Sequence, residues 1–533
     1  MSNAQPHFSG WHCEFSHKMA WQTGTGGYFR AADVKRLAKF IRQVACPAIV
    51  NRPHPQPPMI PLTSASQNSE VREWPFHRAY IFSISMIAAL GGLMFGYDWV
   101  VIGGAELFYE KFFALTTAWQ VGWAMSSALI GALFGAMFSG GLSDKYGRKP
   151  LLLFSGFLFV ATSIGTGLAA NFSLFIASRL LGGVAIGIAS NLSPLYIAEI
   201  APAAMRGRLV ALNQLAIAFG VVAAQVANWA IAKPMPLGTT IAQLPLDSWN
   251  VQVAWRWMFG VTALPATVFF VAMFFAPESP RWLTKKGRPG RARDVLAKIG
   301  GSAYAEYSVK DIEATLVNEI DRVDLRELLD PKMFKVLMVG VVLAVFQQWC
   351  GINVIFQYGS LIFSEAGYAV SDILFNIVIT GVVGVLMAVV AIATVDRWGR
   401  RSLMLSGALG LAAIYLFTGW AYHAGLKGIV PVALVVAAIA CYCYSLAPVT
   451  WVILSEIFPN RIRGAAMSVS VVALWLGNFL LSQTFPKMRQ GLGLANCFWV
   501  YAIICLGGFL FIWKFLPETK GKTLEQLERE LVD

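Results

Sequence analysis

Charge is scarce in this chain. Only 13% of its 533 residues are Asp, Glu, Lys or Arg, against 57% hydrophobic. Soluble domains carry about a quarter charged residues, so this sequence cannot face water on all sides. Histidine is nearly confined to the start: five of the six lie within the first 77 residues. No nucleophile–base constellation follows, so the chain does not read as an enzyme. The seven cysteines (Cys13, Cys46, Cys350, Cys441, Cys443, Cys497 and Cys505) have neither metal-ligand nor disulfide-framework spacing. They are expected to be reduced and packed, and no metal or cofactor is expected. Gly521-Lys522-Thr523 imitates part of a phosphate loop but lacks the glycine five residues earlier, which argues against a nucleotide-driven pump.

What the chain has instead is long apolar runs. Stretches of about 20 residues recur, long enough to cross a hydrocarbon core of about 30 Å. The short alternating segments of a strand barrel are absent. The runs predict spans at 79–105, 118–140, 149–169, 172–198, 209–232 and 255–276, a polar linker, and spans at 334–363, 373–394, 402–424, 429–455, 464–485 and 494–516. The domains expected are therefore a 76–276 bundle, a 277–333 linker, a 334–516 bundle and a 517–533 tail.

The net charge of +13 would suit nucleic acid if the cations clustered on a soluble face. They sort by side of the membrane instead. Lys145, Arg148 and Lys149, Arg206 and Arg208, Arg397, Arg400 and Arg401, Arg461 and Arg463, and the linker cations share one set of loops. The other set holds only Lys111, Lys233, Arg256, Lys427, Lys487 and Arg489. Such asymmetry marks the cytoplasmic side, so both termini are expected there, in a cell membrane, with lipid and not nucleic acid as the surrounding partner.

Residues 1–75 are unlike the rest: basic and rich in Pro, His and Gln, without the apolar core of a signal peptide. Disorder is expected around Asn51–Pro61, and Ala31–Ala45 has the pattern of a short amphipathic helix on anionic lipid. The competing expectation is a start codon assigned too early, with the working start near Met59.

The two sets of spans repeat. Gly141-Leu-Ser-Asp144-Lys-Tyr-Gly147-Arg148-Lys149 follows the second span, and Val395-Asp396-Arg-Trp-Gly399-Arg400-Arg401 follows the eighth. Ala198-Glu199-Ile-Ala-Pro202 with Arg206-Gly207 follows the fourth, and Ser455-Glu456-Ile-Phe-Pro459 with Arg463-Gly464 follows the tenth. Pro277-Glu278 after the sixth is echoed by Pro517-Glu518 after the twelfth. Three paired motifs in one order and on one side imply two homologous six-helix halves, with a site between them opened alternately by rocking.

With these motifs, Gly91-Gly-Leu-Met-Phe-Gly-Tyr-Asp98, Pro277-Glu-Ser-Pro-Arg-Trp282, Phe346-Gln-Gln348 and Gly351-Ile-Asn353, the chain resembles the sugar porter family of the major facilitator superfamily from about Tyr80 to Glu528. It is similar there to bacterial proton-linked xylose carriers and to glucose facilitators. The resemblance implies an all-α membrane protein of twelve transmembrane helices in two pseudo-symmetric six-helix bundles. It also implies alternating-access transport of a monosaccharide or related polyol, coupled to inward proton movement, by a monomer. Two alternatives are an uncoupled sugar facilitator and a nutrient sensor that binds sugar and hardly transports it. The N-terminal extension favours the sensor; the short stretch after Glu518 does not. A drug–proton antiporter would carry a Gly-Pro-rich fifth span, and this one reads Gly220-Val-Val-Ala-Ala.

Asp98 in the first span is a carboxylate at a depth where it costs several kcal/mol unless paired or wet, so it is functional by default. Arg179 in the fourth span is the obvious partner. In the family these positions pair, and protonation of the Asp frees the Arg; a guanidinium holds the carboxylate charged, and its withdrawal lets a proton on. A fixed pair that merely joins two helices is the plainer alternative. Proton-linked xylose carriers place a Glu in the sixth span where this chain reads Thr262, a departure that favours the facilitator.

A sugar needs uncharged groups that donate and accept, with an aromatic face for its C–H side. The seventh span offers Gln347, Gln348 and Asn353, with Gln357 one turn on, and Gly351 between them allows a break. The resemblance puts the first three on sugar hydroxyls. Phe95, Gln214, Trp475 and Asn478 complete the expected site; singly, such amides can equally be glue between helices. Four positions depart from the xylose carriers: Leu446 stands for a stacking Trp, Leu474 for a Gln, Gln357 for a Tyr and Val221 for a Gln. A pocket for something other than xylose, or one that binds it weakly, is expected.

Asp144, Arg148, Glu199, Arg206, Asp396, Arg400, Glu456 and Arg463 lie at helix ends on the basic side. In the family they form ion pairs between the halves that break on switching, a network that biases a two-state equilibrium. The plainer alternative is a static surface network. Linker segments at Lys310-Asp-Ile-Glu-Ala and Asp324-Leu-Arg-Glu-Leu-Leu are expected as short helices latching the halves. Gly182, Gly183 and Gly187 are expected to let a neighbouring helix approach closely.

Overall fold

The computed structural model describes residues 74–234, 243–318, 330–458 and 463–520. The expected helices at Ala31–Ala45 and Asp324–Leu329, the Asn51–Pro61 stretch and the question of Met59 lie outside these residues, as do Cys13 and Cys46. So do the side chains of Asp396 and Arg463.

Among the described residues, twelve helices are long and apolar enough to cross a membrane. The first half comprises Arg78–Phe112, Ala118–Tyr146, Arg148–Gly167, Phe172–Ile200, Arg206–Ile231 and Asn250–Phe275. The second comprises Pro331–Gln357, Asp372–Val395, Arg400–His423, Ile429–Ile457, Ala465–Leu492 and Leu494–Phe515. These bounds follow the apolar runs with several shifts at the ends: the second helix runs on to Tyr146 and the eleventh to Leu492, the seventh ends at Gln357, and the first continues past the apolar limit at 105 and carries Glu106 and Glu110 within its last two turns.

Local signals set several ends. Thr117 accepts from the Gln120 N–H at 3.3 Å as half of a capping box for the second span. Asn171 accepts from the Leu174 N–H at 2.8 Å at the start of the fourth. Asp330 caps the seventh, with Pro331 at its first position.

Small residues decide which spans touch. A Cβ on Gly183 would lie 2.0 Å from the Ala128 carbonyl oxygen, and one on Gly187 would lie 2.2 Å from that of Ala132. The second and fourth spans therefore meet backbone to backbone, as the glycine spacing implied.

Two helices follow the first half, Pro280–Lys285 and Pro289–Asn318. The second covers the predicted Lys310–Ala314 helix and turns at Gly300 and Gly301. Its Tyr304 ring packs 5.6 Å from Trp74 and 5.2 Å from Phe76, and the His77 N–H donates to the Ile299 carbonyl at 2.9 Å. These contacts fasten the linker to the start of the first span. The expected latch across both halves is, in these contacts, an attachment to one.

Call the end bearing the Asp144 and Arg400 motifs the basic end. The halves meet toward the other, outer end. Ser126 of the second span donates to Gln483 of the eleventh at 2.7 Å, and Gln483 donates to the Trp119 carbonyl at 3.2 Å. Ser360 donates to the Gly103 carbonyl at 2.6 Å. Trp123 meets Phe479 at 6.3 Å, and Trp229 meets Phe375 at 5.8 Å. These contacts join the two halves toward this end.

Candidate functional site

The site grows from a break in the seventh span. Helix runs from Pro331 to Trp349, stops, and resumes over Ile352–Gln357. Gly351 between them has φ +88°, in the left-handed region where a side chain is strained. The break re-aims Asn353 against the end of the preceding segment, so residues five apart meet as they would not in an unbroken helix.

A chain of hydrogen bonds results. Gln347 Nε2 donates to the Tyr442 hydroxyl at 2.6 Å. Gln348 Nε2 donates to Gln347 Oε1 at 2.5 Å, and Asn353 Nδ2 donates to Gln348 Oε1 at 2.5 Å. A second group lies one turn on: Ser482 hydrogen-bonds Gln357, and reaches Asn478 Oδ1 at 3.3 Å. Trp349 Nε1 donates to the Gly477 carbonyl at 2.8 Å and ties the seventh span to the eleventh. All five amides and the tyrosine are buried and uncharged.

An aromatic wall faces them from both halves. Phe95 stands 6.0 Å from Trp475 and 6.4 Å from Trp99, and Trp99 stands 5.6 Å from Phe356. Uncharged donors and acceptors of the seventh and eleventh spans and aromatic rings from both halves thus lie where the halves meet. Gln347, Gln348, Asn353, Gln357, Trp475, Asn478 and Phe95 are all brought together here. Gln214 is not: it lies exposed on the fifth span, and among the described residues no hydrogen bond joins it to the amides. Its neighbour Asn213 is the buried one.

Asp98 and Arg179 pair as their depth demanded. Arg179 Nη1 donates to Asp98 Oδ1 at 3.0 Å, with Asp98 7% and Arg179 3% exposed. The contact is single. Asp98 Oδ2 and Arg179 Nε are buried without hydrogen-bond partners, and the guanidinium lies over the Phe259 ring at 5.4 Å. A one-point pair separates more readily than a two-point fork. Thr262, at the expected Glu position, is fully buried.

At the basic end the pairs close within each half. Arg148 clasps Glu199 with Nε and Nη2, both at 2.9 Å, and reaches Asp144 at 3.1 Å. Arg400 reaches Glu456 at 3.2 Å, and Glu456 accepts from Thr519 at 2.6 Å. Pairs between the halves, expected to break on switching, are not among the described contacts at this end. The physical reason is spacing: Asp144 and Arg148 are one turn apart, and Glu199 ends a helix of the same bundle, so the three meet without help from the other half. Arg206 is exposed at the start of the fifth span.

The repeat is visible atom by atom. Glu278 accepts from the backbone N–H of Arg148 at 3.0 Å and of Lys149 at 3.3 Å. Glu518 accepts from those of Arg400 at 2.9 Å and Arg401 at 3.1 Å. Each carboxylate sits on the positive N-terminus of a span, the third or the ninth. The Pro-Glu motif carried this signal in the sequence, but only as an echo. Burial pushes the Glu278 carboxyl up from its ordinary range, opposed by the N–H groups of Ser279, Lys149 and Arg148 and by the Arg148 charge.

Four further residues escaped the sequence reading. Tyr442 lies one turn before Leu446 and supplies a hydroxyl to the wall that lost its stacking Trp. Trp99 directly follows Asp98, Phe356 lies in the re-aimed segment of the seventh span, and Ser482 bridges two amides. None has a pattern that separates it from ordinary packing.

Twelve spans in two six-helix bundles around a buried uncharged site define a membrane carrier of the major facilitator fold. Residues 84–531 match the family described as "Sugar (and other) transporter", and the chain belongs to that family. It is 35% identical over 452 residues to the arabinose-proton symporter of Bacillus subtilis (strain 168), covering 84% of this chain and 95% of that one. It is 37% identical over 486 residues to the D-xylose-proton symporter of Escherichia coli (strain K12), covering 85% and 96%. The inward-open conformation of the xylose transporter XylE from E. coli superposes with a TM-score of 0.74 at 36% identity, covering 85% of this chain and 100% of that one.

Proposed function

We propose that this carrier moves an uncharged monosaccharide or polyol by alternating access, in symport with a proton, with the basic end and both termini at the cytoplasm of a cell membrane. The observation that carries the reading is the Tyr442–Gln347–Gln348–Asn353 chain at the break in the seventh span. Gln347 and Gln348 each have one donor committed and another to give, and Asn353 donates to both the side-chain and the backbone oxygen of Gln348, so a ring of hydroxyls can replace amide–amide bonds one for one. Phe95, Trp99, Phe356 and Trp475 take the C–H face. Gln214 joins from the fifth span when the halves close on the sugar. The chain works as a monomer, since both halves of the site lie on one polypeptide.

The arabinose and xylose relatives support symport, and the one-point Asp98–Arg179 pair supports its mechanism. A proton on Asp98 removes the charge that holds Arg179, and the freed first and fourth spans shift against each other. Asp144, Arg148, Glu199 and Arg206, with Asp396, Arg400, Glu456 and Arg463, are the proposed gating set, each half's cluster holding its own helix ends in register while the basic end is open.

Thr262 favours a second reading, an uncoupled facilitator. Proteoliposomes distinguish the two. With labelled xylose, arabinose and glucose, the wild type is expected to accumulate at least one sugar under an inward proton gradient and to lose accumulation when the gradient is collapsed. Asp98→Asn is expected to keep counterflow and lose accumulation. Unchanged accumulation in Asp98→Asn removes Asp98 from coupling, and wild-type uptake that only equilibrates the sugar, with or without the proton gradient, establishes the facilitator.

A further inference from the structure

The first span carries a second buried carboxyl that the coupling pair does not explain. Glu106 is 0% exposed, and neither of its oxygens has a hydrogen-bond partner. It follows Asp98 by eight residues, two i+4 steps along one stripe of the helix and about 12 Å along its axis. Glu110 stands one further turn on, with Oε1 also buried and unpartnered.

Glu106 belongs to the outer seal. Gly103, one turn before it, is pressed against the second half: a Cβ there would lie 2.7 Å from the Phe356 carbonyl oxygen and 2.8 Å from that of Gln357. Ser360 donates to the Gly103 carbonyl at 2.6 Å. Glu106 shares that face. The groups that bear on it are Glu110 from its own helix, Arg489 from the eleventh span, and the Tyr109 and Tyr358 hydroxyls. Arg489 Nε is engaged by Glu365 at 2.8 Å, within the second half. Tyr358 donates to the Ser482 carbonyl at 2.7 Å. The Tyr109 hydroxyl is buried without a partner, and Arg179 bears on it as well. Among the described residues, the cation that bears on Glu106 thus has a carboxylate of its own, and a second carboxyl, Glu110, stands beside it.

An unpartnered carboxylate anion shut between helices costs several kcal/mol, and a neighbouring like charge adds to that. The same side chain facing water in an opened outer end carries no such cost. We infer that Glu106 is a second proton-binding site of this carrier, loaded from the outer side and occupied when the outer end closes. Closure transfers one proton from outer water to a Glu106 oxygen, and reopening returns it, so the proton is neither consumed nor carried across. Acid outside favours the sealed state. Glu106 acts by allowing the two halves to meet; sugar touches other residues.

The inference rests on the carrier reading only in requiring that the outer end opens, and its test does not use transport. In full-length protein in nanodiscs, with native cysteines replaced by alanine, spin labels at Thr116→Cys and Ala424→Cys report the distance between the outer ends of the halves. From about pH 5 to about pH 9 the open population is expected to grow, by up to about tenfold per pH unit for one titrating carboxyl. Glu106→Gln is expected to stay closed throughout. A response in Glu106→Gln equal to that of the wild type, or a wild-type distance indifferent to pH, overturns the assignment. Should Glu106→Gln fail to accumulate, Glu106→Met fills the same space without a titratable group and carries the same expectation. Absence of sugar counterflow with the pH response intact would sink the carrier reading and leave this one standing.

Discussion

At the scale of single residues, the central site is a set of amides that satisfy one another while they wait. Gln348 is the middle link, giving a donor to Gln347 and taking one from Asn353. Gln348→Ala leaves Gln347 Oε1 buried without its partner, at about 1–3 kcal/mol, and Asn353 Nδ2 with only the backbone carbonyl of residue 348. The expected outcome is a lowered thermal midpoint and loss of the upward shift that a transported sugar produces in the wild type. Full retention of that shift, read by thermal unfolding with and without sugar, would remove Gln348 from the site. Glu278 offers a pH test. Its carboxyl is raised in the folded chain by burial. A raised group binds its proton more tightly folded than unfolded, so its stabilising share is complete below the unfolded value and is lost as pH rises through the folded one. The wild-type midpoint is expected to fall over that rise. Glu278→Gln keeps an acceptor for the Arg148 and Lys149 N–H groups and should flatten that component; identical pH profiles would contradict it.

At the scale of elements, the seventh span does what no straight helix could. Its break at Gly351 lets Asn353 turn back onto Gln348. A Cβ at position 351 would both force a side chain into the left-handed region and approach Tyr501 Cγ at 2.7 Å. Gly351→Ala is expected to cost about 1–3 kcal/mol in strain and to abolish sugar binding, measured by tryptophan fluorescence titration. Binding of wild-type strength would show that the break is packing and not function. The charged motifs at the basic end make the complementary point. Asp144, Arg148 and Glu199 come from the second, third and fourth spans, and their pairing staples three helix ends of one bundle while Glu278 caps the third span from below. Arg400, Glu456 and Glu518 repeat this in the other bundle. Exposed pairs of this kind contribute about 0–1 kcal/mol each, but the clasp around Arg148 is largely buried and resists the loss of one member more strongly.

At the scale of the whole molecule, the two bundles are joined at the outer end by close backbone approaches and by a few hydrogen bonds, and by aromatic contacts at mid-depth. Such a seal is strong in shape and weak in bond energy, as a surface that must part in every cycle requires. Gly103 is its tightest described point on the first span. Gly103→Trp is expected to hold the outer end open, leaving sugar binding within about threefold and reducing counterflow by at least about tenfold, a split that follows from blocking a conformational step and not the site. Counterflow at the wild-type rate would show that the seal at Gly103 can yield.

The sequence by itself determined the solvent, the number of spans, the repeat and the residues fit to bind a sugar. Each is a local property: an apolar run is as long as the membrane is thick, a motif recurs in register, and an amide or a carboxylate at mid-depth needs a reason. Even the Asp98–Arg179 pair was legible, because a lone buried charge demands its opposite. Only the tertiary structure decided which groups actually meet. It closed the Arg148 and Arg400 clusters within their own halves, joined Tyr442, Trp99, Phe356 and Ser482 to the site, left Gln214 outside the amide chain, and buried Glu106 in the outer seal. Partners far apart in the chain are chosen by how helices cross and how closely glycine lets them approach, and pairing of that kind depends on the packed shape of the whole.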